Sequence, residues 1–306
     1  MLGDLNDLLA LYVRESDPAP ATVKHCENVM ALFQRETQCT QVGEVTHELL
    51  LQWKALLKSR AAEATVNSYL RALRTLFNLA DKRGLLETNP FQHVSYVPEY
   101  TRLKHTAEHV DILSLLSMIR QYPDENRPSW FWEAVLKTLY YTGMRRRQLV
   151  AMTWADVDFR HERILLRAEG SKTRREWHIP MTAEVVQALL VVKDKTLGKL
   201  EVGQVAAIRQ LQVFNITLFN PDYAGKQMFP EQVTGYFKRA SLRYKVKISP
   251  HRFRHTFATQ AANRGGQNLR HLQRMLGHTS LKTTLGYVES DTESMREMIN
   301  GGIRGL

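Results

Sequence analysis

Pro250-His251-Arg252-Phe253-Arg254-His255-Thr256-Phe257-Ala258-Thr259, then Leu276-Gly277-His278-Thr279-Ser280, then Tyr287, is the stretch on which the reading of this chain turns. Ser249-Pro250 makes a good helix start, with serine at the cap and proline in the first turn. Residues three apart share a helix face, so His251 and Arg254 are expected to point the same way, while Phe253, Phe257 and Ala258 enter a core. Gly265-Gly266 is expected to close this helix, residues 268–276 to form the next, and Gly277 to supply the turn that presents His278. Thr283, Thr284 and Tyr287 then fall on a final short helix. Two imidazoles and a guanidinium beside a phenol are what is needed to attack a phosphodiester and to stabilise the charge that follows.

None of these residues is informative alone, since the chain holds 11 histidines and 11 tyrosines. Most histidines and tyrosines are structural or solvated, so the joint spacing carries the inference. His251 and His255, four apart, have the separation of a metal pair. However, Arg252, Phe253 and Arg254 lie between them, no acidic ligand is adjacent, and cations repel a metal ion. No metal site is expected, and His255 is assigned to packing or hydrogen bonding.

Bulk properties set the direction of the search. The 306 residues suffice for two domains, and 43% hydrophobic with 24% charged residues is ordinary for a globular chain. Forty-two basic against 31 acidic residues leave a formal charge of +11. Such an excess favours a polyanionic partner, because each neutralised phosphate releases condensed counterions. Composition alone leaves ribosomal, RNA-binding and membrane-surface proteins open. Cys26 and Cys39 are the only cysteines, which supports neither a disulfide framework nor a cysteine zinc site. The N-terminus lacks the pattern of a signal peptide, and no apolar run approaches the roughly 20 residues needed to cross a bilayer. A cytoplasmic, nucleoid-associated protein without membrane contact is expected.

Periodicity predicts helices over residues 4–13 and 22–34, a third capped by Thr46, and a fourth over 64–82 that stops near Gly84. On the fourth, Asn67, Arg71, Arg74 and Asn78 recur every three or four residues, opposite an apolar face. That stripe is either a solvated face or a surface for a polyanion. Asn89-Pro90-Phe91 ends the unit, since the residue before proline leaves helical geometry. Residues 92–105 read as a linker, and helix resumes near Thr106 and over 130–141. Three short strands follow at 156–158, 163–167 and 176–180, then helices over 182–192 and 231–243, with a helix-compatible pattern at 202–211. The fold expected is mainly α with a small antiparallel sheet: a helical domain over 1–91, a linker over 92–105, a mixed catalytic domain over 106–290 and a tail over 291–306.

The spacing of His251, Arg254, His278 and Tyr287 resembles the tyrosine recombinases, the phage integrase family. Members carry a first arginine in a Thr-Gly-Leu/Met-Arg turn, and Tyr141-Thr142-Gly143-Met144-Arg145 is similar to it, which makes Arg145 the match. The family usually has a glutamate three residues later; here Gln148 stands instead, so the orientation of Arg145 rests on neutral hydrogen bonds. Members place a lysine on a β-hairpin, and Ser171-Lys172-Thr173-Arg174-Arg175 before Ile179-Pro180 resembles that hairpin, with Lys172 in the matching place.

The resemblance implies site-specific cutting and rejoining of double-stranded DNA by a homotetramer on two duplexes, through a Holliday junction, as in mobile genetic elements. In that scheme Tyr287 attacks phosphorus to give a 3′-phosphotyrosyl bond. Arg145, Arg254 and His278 hold the nonbridging oxygens, Lys172 protonates the leaving 5′ oxygen, and His251 takes or holds the phenol proton. No cofactor, metal or ATP is implied; accessory DNA-bending proteins are compatible. Asn67, Arg71, Arg74, Arg146 and Arg174 become candidate DNA contacts. An arm-binding domain before Asp4 is not expected, and the tail after Tyr287 is either a docking segment for a neighbouring protomer or a frayed end. A type IB topoisomerase is the rival in mechanism. An architectural DNA-binding protein that has lost catalysis, with Gln148 as its one support, is the rival in class.

Overall fold

The computed structural model describes residues 3–99, 106–168, 175–263 and 269–287. Lys172, Arg174, Gly265, Gly266 and the tail 291–306 lie outside the described residues. The chain forms two units, Met1–Arg102 and Leu103–Leu306.

The first unit holds four helices: α1 (Leu5–Ser16), α2 (Pro20–Thr37), α3 (His47–Lys58) and α4 (Glu63–Lys82). Side-chain caps start two of them, because the first N–H groups of a helix lack internal acceptors. Asp4 accepts from Asn6 N–H at 2.6 Å and Thr46 Oγ1 from Leu49 N–H at 3.1 Å. Val66, Leu70, Leu73, Leu76 and Phe77 place one apolar stripe of α4 in the core, against Phe33 and Trp53. Gly84 follows α4 at φ +64°, the left-handed stop that glycine tolerates.

The expected linker differs from the structure. Phe91, Val94 and Val97 are buried in this same core, an apolar spacing of three in a segment that is neither helix nor strand. Asn67 clips it down: its Nδ2 donates to Val97 O at 2.8 Å and its Oδ1 accepts from Val97 N–H at 2.8 Å. Lys54 Nζ donates to Ser95 O at 2.5 Å, and Arg74 Nη2 to Val94 O. Residues 92–99 are therefore part of the first unit.

The second unit is built around α6 (Ser129–Thr142), whose Phe131, Trp132, Val135, Leu136 and Leu139 are all buried. A helix apolar on every side must sit inside, and here α5 (His109–Gln121), α8 (Ala183–Leu197) and α10 (Pro250–Asn263) surround it. Between α7 (Arg146–Ala151) and α8 runs an antiparallel sheet of β1 (Val157–Asp158), β2 (Arg163–Leu166) and β3 (Trp177–Pro180), in the order β1-β2-β3. Ile164 pairs with Ile179, and both face the core. Val202–Gln210 takes 3-10 rather than α geometry before α9 (Pro230–Arg243). After α10 come α11 (Leu269–Leu276) and a five-residue α12 (Leu281–Leu285), so Tyr287 stands just beyond α12 rather than on it.

Candidate active site

Arg254 is the centre of the site. It lies on α10, only 5% exposed, and three of its five N–H donors are held by protein groups. Nη1 donates to Gly143 O at 2.8 Å, and Nη2 donates to Leu276 O at 2.8 Å and to His278 Nε2 at 3.0 Å. One side chain thus joins the turn after α6, the end of α11 and the turn that follows it. A guanidinium can only donate, so His278 Nε2 must be bare and its proton must sit on Nδ1. That assignment fits the second bond of the ring, 3.0 Å from Nδ1 to Thr284 Oγ1. For His278 to donate to a phosphate, as the sequence leads one to expect, Nε2 must gain a proton and leave Arg254.

Two glycines make these approaches possible. Gly143 has φ +62°, and a Cβ there would lie 2.4 Å from the Phe257 ring. Gly277 has φ +61°, and its Cβ would lie 2.3 Å from the Trp177 indole. Trp177 also donates from Nε1 to Met275 O at 3.0 Å, which pins β3 against the turn carrying His278. Neither Trp177 nor Thr284 was expected in the site. Thr284, fully buried on α12, is foreshadowed only by its place six residues after His278.

Tyr287 is 5% exposed, and its ring packs with Ala258, Ala262, Leu272 and Leu276. His278 stacks on it at 5.8 Å between centroids and 10° between planes, and His255 tilts against it at 5.1 Å. The phenol lies close enough to the Arg254 guanidinium to interact with its charge. Burial pushes the Arg254 guanidinium down to about 10, with the positive charge of Arg145 acting in the same direction and Tyr287 opposing both. Burial lowers Arg145 as well, again opposed by Tyr287. Arg145 caps α7, and its own N–H donates to Gln148 Oε1 at 2.8 Å. Its Nη1 is buried with no acceptor among the described residues.

His251 and His255 meet through their Nε2 atoms at 2.7 Å, His255 buried and His251 exposed. Only one of two hydrogen-bonded nitrogens can carry the proton, so the pair shares it. His255 therefore does hydrogen-bond within the motif, and it also touches Tyr287 and His251 together.

The expected DNA contacts divide. Asn67 is 2% exposed and its amide is used within the first unit, also donating to Glu99 Oε1 at 2.6 Å, so it is a clip and not a contact. Arg146 spends a donor on Thr234 Oγ1 of α9. Arg71 is exposed, and Arg74 lies 4.3 Å above the half-exposed Tyr96 ring with Arg71 at 5.5 Å. Among the described residues Lys54, Lys58, Arg71 and Arg74 pair with no carboxylate, whereas Arg60 and Arg83 do, with Glu36 and Glu15. Lys54 and Lys58 sit on α3, outside the stripe read on α4.

Comparison with known proteins bears on the family and the fold. The pattern of the phage integrase family matches residues 108–294, and that of the phage integrase SAM-like domain matches residues 5–97. The chain belongs to the phage integrase family. A putative tyrosine recombinase XerC of Pseudomonas syringae is 30% identical over 97% of this chain and 63% of its own length. A second, from Pseudomonas aeruginosa, is 29% identical over 88% and 65%. The chain thus spans just under two thirds of these two relatives. A tyrosine recombinase XerC of Pediococcus pentosaceus is 28% identical over 84% of each chain. The fold is shared with the Tn1549 transposon integrase in complex with a circular intermediate DNA, at a TM-score of 0.76 and 22% identity over 98% and 99% of the two chains. It is also shared with a lambda integrase dimer bound to a core site, at 0.71 and 15% over 99% and 79%. The two family patterns fall on the two structural units, so the mainly helical, two-domain architecture and the family membership support each other.

Proposed function

We propose that this protein is a site-specific DNA recombinase that cuts and rejoins strands through Tyr287. One observation carries the reading: the Tyr287 phenol lies within interaction range of both the buried Arg254 guanidinium and Arg145, whose Nη1 is buried with no acceptor among the described residues. A tetrahedral phosphodiester supplies the oxygens such donors lack. Tyr287 Oη forms a bond to phosphorus as the P–O5′ bond breaks. The phenol proton passes to the shared-proton pair at His251, and Lys172, assigned from sequence, protonates the leaving 5′ oxygen. Arg145 and Arg254 stabilise the extra charge on the nonbridging oxygens. The phosphotyrosyl bond keeps the energy of the broken one, so rejoining to a partner strand needs neither ATP nor metal. Exchange between two duplexes through a Holliday junction, by a homotetramer in the bacterial cytoplasm, fits this chemistry. The lambda integrase tetramer of the same fold is itself bound to such a junction.

Lys54, Lys58, Arg71 and Arg74, none of them paired with a carboxylate among the described residues and two of them beside Tyr96, are the best candidates in the first unit for duplex phosphates. A purely architectural role draws little from Gln148, which still accepts the Arg145 N–H as a cap.

The test uses nicked, sheared genomic DNA incubated with the purified protein and then denatured. Wild type is expected to leave a covalent DNA adduct that maps to Tyr287 by mass spectrometry, and Tyr287→Phe none. Gel shifts without adduct in wild type would remove the reading.

A further inference from the structure

A buried guanidinium, Arg254, and a half-buried one, Arg145, share this site, and among the described residues neither pairs with a carboxylate. Arg254 rests on carbonyl oxygens and an imidazole, all neutral. Gln148 is the polar side chain that meets Arg145, 3% exposed, with Oε1 on the Arg145 N–H and Nε2 buried without an acceptor among the described residues. The site therefore holds two unlinked observations of unmet donors, Arg145 Nη1 and Gln148 Nε2, three residues apart. An orphaned buried donor destabilises the state in which it is orphaned, and two like charges in a poorly solvated place add to that.

We infer that Gln148 is a positioning residue that fixes the Arg145 turn without supplying counter-charge, which leaves the empty site an under-neutralised receptor for a tetrahedral phosphate oxyanion. Shape and charge at residue 148 have separate roles. The amide oxygen supplies the cap, and a carboxylate oxygen would do so equally well. A carboxylate would also neutralise one of the two guanidiniums, stabilising the empty protein and competing with an incoming anion. The neutral amide holds the turn while keeping the full attraction for phosphate. Sites with strained or unmet groups commonly give up stability in this way.

The proposal rests on the reading that Arg145 and Arg254 hold a phosphate, and inorganic phosphate tests it without knowledge of a DNA target. Melting temperature is followed against phosphate concentration at constant ionic strength, for wild type, Gln148→Glu and Gln148→Met. Gln148→Glu is expected to melt about 2–4 °C higher than wild type without phosphate and to bind phosphate about tenfold more weakly. Gln148→Met, uncharged and of similar size, is expected to melt lower through loss of the cap and to bind phosphate more weakly because Arg145 is no longer held, so the opposite melting shifts of the two variants separate charge from position. Equal phosphate affinity in wild type and Gln148→Glu, or a lower melting point for Gln148→Glu without phosphate, overturns the inference. If either result comes with a wild-type Tyr287 adduct, only the role of Gln148 falls; a missing adduct removes the recombinase reading itself.

Discussion

At the scale of single residues, Arg254 does two things at once. It faces the proposed phosphate, and it ties Gly143, Leu276 and His278 together. A lysine keeps the charge but cannot span three acceptors in a plane. Arg254→Lys is expected to slow adduct formation about 10²- to 10³-fold, the usual effect of losing one transition-state donor. It is also expected to lower the melting temperature, which separates it from Tyr287→Phe. The side chains that meet around Arg254 were legible as candidates because they are few, polar and closely spaced along the chain. His278 was legible as a member of this cluster but not in its state: its bare Nε2 follows from the bond to Arg254, and no spacing encodes that. Asn67 misled for the opposite reason, since a polar residue on the rim of an amphipathic helix looks the same whether it faces water or clips down the next segment.

Among elements, turns carry the assembly. Gly277→Ala places a side chain in the left-handed region and into the Trp177 indole, costing on the order of 1–3 kcal/mol. Pairing it with Trp177→Ala should remove the clash but not the backbone strain, so a double-mutant cycle followed by thermal unfolding divides the two. A second prediction belongs to α6. The Arg120 guanidinium on α5, together with Lys137, holds the Glu133 carboxyl down to about 2. A depressed folded pKa means that this stability is present above the ordinary carboxylate range near 4.5 and is lost as pH falls from there to about 2. Glu133→Gln should therefore lower the urea midpoint at pH 7 and have almost no effect near pH 2. Helices of both units were legible from period and caps, whereas the strap at 92–99 was not. Its Phe91-Val94-Val97 spacing belongs to no regular element, and its backbone is held by side chains from α3 and α4.

For the whole molecule, charge is the readable quantity. The excess of +11 pointed to a polyanion, and the structure shows where part of it stays unneutralised. Lys58→Ala with Arg71→Ala is expected to weaken binding to any duplex by a similar factor. It should also flatten the slope of log affinity against log salt by about two, one for each lost phosphate contact. Asn67→Ala should leave that slope unchanged and lower the stability of the first unit. Fluorescence anisotropy across a salt series measures both. An unchanged slope in the double variant would take the first unit's cationic face out of the interface.

Trp177 gives the small sheet a second occupation. Three strands of two to four residues are too short to hold their own hydrogen bonds firmly, yet β3 is bolted through its indole to the backbone beside His278. Amide exchange along Ile164–Leu166 then becomes a remote gauge of order around the candidate site, readable by isotope labelling in the protein alone.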